Sequence, residues 1–149
     1  MTGSLDKNKS ICQWNTATGE LQHVWTRKHR TEGLTLSPDG HWLVAMDDQS
    51  RLHVYSFITR ELQYELELGR RGRPTSVSIS ADSRFLLVNK QDNEAQLFDL
   101  ASRECVQTYR GHTGGEFLIR SAFGGADESF VISGSEGKDT HAHSLSEVF

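Results

Sequence analysis

An all-β chain of repeated four-stranded units is what this 149-residue sequence predicts, on three observations. A block recurs: Leu36-Ser37-Pro38-Asp39-Gly40 returns as Ile79-Ser80-Ala81-Asp82-Ser83, 43 residues later. Each copy runs into an aromatic and aliphatics, Trp42-Leu43-Val44-Ala45 and Phe85-Leu86-Leu87-Val88, and Phe130-Val131-Ile132-Ser133 follows 45 residues beyond Phe85. A second block ends in an aromatic three times, at Trp14, Tyr55 and Phe98, with spacings of 41 and 43 residues. Between the blocks, apolar and polar residues alternate with a period of two, as at Leu34 and Leu36 or Val77 and Ile79. Four short strands in a period of about 40 to 45 residues is the pattern of β-propeller blades.

The elements follow in order. Ser37-Pro38-Asp39-Gly40 carries turn chemistry: Pro presets φ, Asp bonds nearby backbone and Gly accepts a positive φ. It is expected to join the first and second strands of a unit. Asp6-Lys7-Asn8 and Asp47-Asp48-Gln49 stand where second and third strands should turn. No stretch holds a capped i, i+3, i+4, i+7 apolar pattern, so no helix is expected. The chain divides into a half unit (1–25), units at 26–68, 69–110 and 111–139, and a divergent tail at 140–149. In that tail no aromatic fills the slot near 143–145 and alternation is lost.

Composition narrows the function classes. Hydrophobic residues make up 36% and charged residues 24%, enough for a core on a soluble chain. The net charge of −4 is too small to argue for a nucleic-acid protein. No apolar run approaches the roughly 18 residues of a membrane helix, and Met1-Thr2-Gly3-Ser4-Leu5-Asp6 is not a signal peptide. Cys12 and Cys105 fit neither a disulfide framework nor a zinc spacing. An intracellular protein of cytoplasm or nucleus is expected.

Gly3-Ser4-Leu5-Asp6, Ile11-Cys12-Gln13-Trp14-Asn15 and Gly111-His112 resemble the WD repeat over nearly the whole chain. Phe117-Leu118-Ile119-Arg120-Ser121-Ala122-Phe123 and Ser129-Phe130-Val131-Ile132-Ser133-Gly134 are similar to the WD-repeat subunit of the GID/CTLH ubiquitin ligase. The resemblance implies a partial WD40-type propeller of about three to four blades. It also implies a non-catalytic scaffold that recruits substrates for ubiquitin-dependent degradation. Other ligase subunits and acidic substrate segments are the implied partners; a general interaction module of another complex, or a non-functional truncated fragment, is the alternative. The family pattern assigns structural roles to Asp6, Trp14, His29, Asp48, Tyr55, Phe98 and His112, with Arg70, Asn89 and no Trp marking departures in the later units. Closed propellers use about four to eight blades, so an arc of this size is expected to be a fragment or to need a partner.

Candidate chemistry is sparse. The His, Ser, Asp and Trp positions of the repeat read as a structural staple, and no base, nucleophile and oxyanion site converge. No enzyme activity, cofactor or metal is expected: His141 and His143 lack a third ligand, and Gly111-His112-Thr113-Gly114-Gly115 lacks a following Lys-Ser/Thr. One feature stands out. Arg27, Lys28, Arg30, Arg70, Arg71, Arg73 and Arg110 put seven of the sixteen Lys and Arg residues into the connections between units. The repeat brings those connections to one face, where they suit acidic peptides or phosphate. Nucleic acid is disfavoured because no exposed aromatic pattern accompanies the charges. Replacing Arg70, Arg71 and Arg73 with Ala is expected to weaken partner binding.

Overall fold

The recurring Ser-x-Asp block closes the same hairpin twice. In the computed structural model, which describes residues 2–3, 11–26, 30–69, 72–111, 119–136 and 141–144, Ser37 N–H donates to the Trp42 carbonyl and Ser37 Oγ accepts from Trp42 N–H, both at 2.8 Å. Ser80 repeats the pair with Phe85 at 2.9 and 2.8 Å. Gly40 (φ 74°) and Ser83 (φ 62°) both take the left-handed position of the turn. Glycine does so freely. Ser83 is held there while its Oγ accepts from Asp39 N–H of the preceding unit at 3.1 Å.

The hairpins assemble four antiparallel sheets. Blade I holds β1 (Thr2–Gly3), β2 (Ile11–Trp14) and β3 (Leu21–Trp25). Blade II holds β4 (Thr31–Leu36), β5 (Trp42–Asp47), β6 (Arg51–Ser56) and β7 (Leu62–Glu67). Blade III holds β8 (Pro74–Ile79), β9 (Phe85–Lys90), β10 (Glu94–Asp99) and β11 (Cys105–Arg110). Blade IV holds β12 (Ser121–Gly124), β13 (Phe130–Ser133) and β14 (His141–Ser144). Strands pair with their sequence neighbours in every sheet, so each blade is a meander. The one helical element among the described residues is a 3₁₀ turn at Ala126–Glu128.

Both faces of the second strand are buried in blades II and III, so it reads as a continuous apolar run rather than an alternating one. Leu43 and Ala45 pack towards blade I with Ile11, Trp25 and Tyr55. Val44 and Met46 face the other way and meet Leu86, Val88 and Phe98 of blade III. Phe85 and Leu87 in turn pack with Leu97, Tyr109 and Val131 towards blade IV. The period of two thus sends alternate residues of one strand into two different cores. Polar links repeat alongside. Trp25 Nε1 donates to the Arg60 carbonyl at 3.2 Å, and Tyr64 OH donates to the Leu100 carbonyl at 2.9 Å, each joining one blade's last strand to the next blade.

Within the stretch read as a divergent tail, His141–Ser144 forms the third strand of blade IV, with His141 opposite Ser133 and Ser144 opposite Phe130. Strand pairing needs only backbone N–H and C=O groups, whereas the sequence expectation relied on a missing aromatic.

Candidate functional site

Three arginines occupy equivalent backbone positions. The residue before each first strand accepts a hydrogen bond from the turn between the second and third strands. The Arg30 carbonyl accepts from Asp48 N–H at 3.2 Å, the Arg73 carbonyl from Gln91 N–H at 2.9 Å, and the Arg120 carbonyl from Gly134 N–H at 3.4 Å. First strands of successive blades lie side by side, so this rim runs across blades II, III and IV on one face. Arg30 and Arg120 are exposed. Arg120 escaped the sequence reading because more residues separate blade III from blade IV, which puts Arg120 47 residues after Arg73 instead of 43.

The expected basic face is only partly assembled from free charge. Arg73 lies 3.0 Å from Glu32 Oε1 and also donates to the Asp48 carbonyl. Arg110 lies 2.7 Å from Glu94 Oε1, at the end of the outermost strand of blade III. The hydrogen bond from Arg110 holds the Glu94 carboxyl below its ordinary range against a smaller opposing effect of burial. Arg27, Lys28, Arg70 and Arg71 lie outside the described residues, as do Asp6, His29 and His112.

The turn carboxylate of blade II is Asp47, one residue before the expected Asp48. Asp47 closes β5 and is fully buried. Its Oδ1 accepts from Gln49 N–H at 2.9 Å and Arg51 N–H at 3.0 Å, which closes the turn locally. Its Oδ2 lies 2.7 Å from His53 Nε2, and His53 Nδ1 lies 2.8 Å from Glu65 Oε1. Burial pushes the Asp47 carboxyl up, but the bonds from His53, Arg51 and Gln49 together outweigh it and leave it below its ordinary range. Blade III carries Lys90 in that place. Its buried ammonium lies 3.1 Å from Asp92 and 3.7 Å from Glu94. Tyr55 and Phe98 fill the aromatic slots as buried core residues, and Trp14 is 43% exposed. Asn89 is buried as well; its Nδ2 donates to the Ile119 carbonyl of blade IV at 2.9 Å.

Between blades II and III the rim opens into a cleft of about 450 Å³. Thr31, Glu32 and Met46 line one wall; Arg73, Pro74 and Gln91 line the other. The Thr31 hydroxyl is buried without a hydrogen-bond partner. Among the described residues no His/Cys/Asp/Glu group has metal-binding geometry, and no helix is long and apolar enough to cross a membrane. Cys12 and Cys105 are not joined by a disulfide. The geometry offers hydrogen bonding and ion pairing to a partner.

Residues 103–142 match the family model "WD domain, G-beta repeat". The chain is 34% identical over 91% of its length to GID complex subunit 7 of Schizosaccharomyces pombe, covering 27% of that protein. It is 32% identical over 96% of its length to the WD repeat-containing protein WDS homolog of Arabidopsis thaliana, again covering 27%. A WD repeat-containing protein of Dictyostelium discoideum is 40% identical over 72% of this chain, which spans 18% of it. The chain therefore spans at most about a quarter of these relatives. The repeated sheets, their blade-to-blade register and these likenesses place the chain in the WD-repeat family.

Proposed function

We propose that this chain is the propeller-borne part of a non-catalytic recruiting and scaffolding subunit of a GID/CTLH-type ubiquitin ligase. Its partners are proteins, namely other ligase subunits and substrates with acidic segments. The observation that carries the reading is the 34% identity over 91% of the chain to GID complex subunit 7. The rim of Arg30, Arg73 and Arg120 supports partner docking on one face. We assign Arg27, Lys28, Arg70, Arg71 and Arg110 to the same partner-binding face. Interaction through a surface suits the WD repeat, whose blades offer turns and rims rather than a reactive pocket. Work in such a ligase places the protein inside the cell, in cytoplasm or nucleus.

The test is affinity purification of the tagged chain at native expression level, read by mass spectrometry. Recovery of a RING-type ligase subunit together with LisH/CTLH-containing subunits is expected. Recovery of a different defined complex in their place overturns the ligase assignment and leaves a general interaction propeller.

A further inference from the structure

We propose that the cleft between β4 and β8 receives an acidic side chain of a partner peptide, and that Glu32 occupies Arg73 as an internal stand-in until it arrives. The proposal rests on the reading of this face as a docking surface and specifies where and what it docks.

Three observations converge on the cleft. Thr31 is 8% exposed and its hydroxyl has no partner. A buried hydroxyl is normally hydrogen-bonded, so an orphan lining a cleft marks a bond left for something outside the chain. Arg73 stands in the opposite wall with 55% of its side chain exposed. Arg30 directly precedes Thr31, and sequence runs rich in Arg and Lys lead into both strands. The donors and the positive charge favour a carboxylate. A basic side chain would meet the Arg73 guanidinium.

Glu32 explains why Arg73 is not idle without a partner. β4 is irregular between Thr31 and Gly33, so Glu32 has no opposite number on β5. A bulge of this kind re-aims a side chain, here across to the next blade. The resulting ion pair is exposed at both ends, and pairs of that kind contribute little and exchange readily. Blade III has the same irregularity at Thr75, 43 residues on. There Thr75 Oγ1 donates to the Ile119 carbonyl at 2.7 Å, a neutral link with no ion to exchange. The replaceable pair thus belongs to the II–III junction.

The test uses the full chain and two fluorescein-labelled hexapeptides, Gly-Ser-Asp-Glu-Ser-Gly and its neutral counterpart Gly-Ser-Asn-Gln-Ser-Gly, with anisotropy as the readout. Expected results are preference for the acidic peptide, a loss of about tenfold in affinity with Arg73→Gln and about fivefold with Thr31→Val, and a gain of about fivefold with Glu32→Gln. Thr31→Val should leave the melting temperature unchanged or higher, since it removes an unsatisfied hydroxyl, so its weaker binding is not a folding defect. The gain in Glu32→Gln guards against the same artefact. Equal binding of the two peptides, binding of neither, or lower affinity in Glu32→Gln overturns the proposal. If ligase subunits co-purify equally with wild type and Arg73→Gln while the peptides do not bind, the cleft proposal fails and the docking role stands. If the acidic peptide binds as expected and no ligase subunit is recovered, the reverse holds.

Discussion

His53 Nε2 lies 2.7 Å from Asp47 Oδ2 while its Nδ1 lies 2.8 Å from Glu65 Oε1, so one imidazole ties together the second, third and fourth strands of blade II. The histidine is almost wholly buried, as is Asp47, and Glu65 keeps the outer end in contact with water. Charge-assisted bonds inside a protein are stronger than neutral ones, and losing one partner leaves the other stranded.

Asp47→Asn keeps the shape and removes the charge. It should cost about 2 kcal/mol, read as a lower urea midpoint at pH 7. The pH dependence carries a sign. The folded Asp47 carboxyl sits below its ordinary value of 3.8, so the unfolded chain takes up protons first as the solution acidifies. The stabilisation is complete above about pH 5 and is lost as pH falls from about 4 through the folded value. Asp99 is lowered too: burial pushes it up, but bonds from Ser102, Arg84 and Ala101 outweigh that, so it adds to the same acid window. The Asn variant should lose less stability than wild type between pH 5 and pH 3. Parallel curves would remove Asp47 as a source of the acid sensitivity.

The blades were legible from the sequence because their signals are local and periodic. Ser37-Pro38-Asp39-Gly40 and its copy each make their own turn, and Tyr55 and Phe98 announce the third strand wherever they recur. The cleft was not legible. Thr31 and Arg73 are 42 residues apart, and nothing in either stretch shows that a bulge throws Glu32 across to blade III. The Asp47 assignment missed by one residue because two aspartates stand together at that turn. Only the pleat of β5 decides which one points inward. Lys90 was invisible for a related reason, since a lysine at the end of an apolar strand reads as a solvated terminus until Asp92 and Glu94 are placed around it.

Asn89 is the polar hinge of the blade III–IV junction. Its Nδ2 donates to Thr75 Oγ1 at 3.0 Å and the Ile119 carbonyl at 2.9 Å, and its Oδ1 accepts from Ser121 Oγ at 2.9 Å. Asn89→Ala strands the buried Ser121 hydroxyl and leaves the Ile119 carbonyl with Thr75 Oγ1 alone, at about 2 kcal/mol. Native-state amide exchange should quicken in β12 and β13 well before β4 to β7. Uniform acceleration across all blades would mean that the junction does not open on its own.

Gly72 is left-handed (φ 66°), and a Cβ there would lie 2.5 Å from Asp92 Cγ. Gly19 has a similar φ of 72° with nothing within 4 Å of its Cβ position. Ala at Gly19 should therefore cost only the backbone strain, about 1 kcal/mol. Ala at Gly72 adds a clash with the carboxylate that partners buried Lys90, for a total of about 3 kcal/mol. Chemical denaturation of the two variants separates the contributions, and equal costs would mean that Asp92 moves aside freely.

Tyr64 donates to the Leu100 carbonyl at 2.9 Å, with the Arg103 guanidinium 4.6 Å above its ring. Burial pushes its phenol up to about 12, partly opposed by Arg103. An acid raised on folding stays neutral in the folded chain while the unfolded chain ionises near 10, so folding loses support as pH climbs from about 10 towards 12. Tyr64→Phe should cost about 1 kcal/mol at neutral pH for the lost hydrogen bond. It should also flatten the alkaline limb of the stability curve, because Phe has no proton to lose. Tyr109, likewise raised to about 12 by burial, keeps part of that limb in the variant. The check is the urea midpoint of both proteins from pH 8 to pH 11.5. A Phe variant that loses stability as steeply as wild type over that range would show that the phenol of Tyr64 is not held neutral by the blade II–III contact.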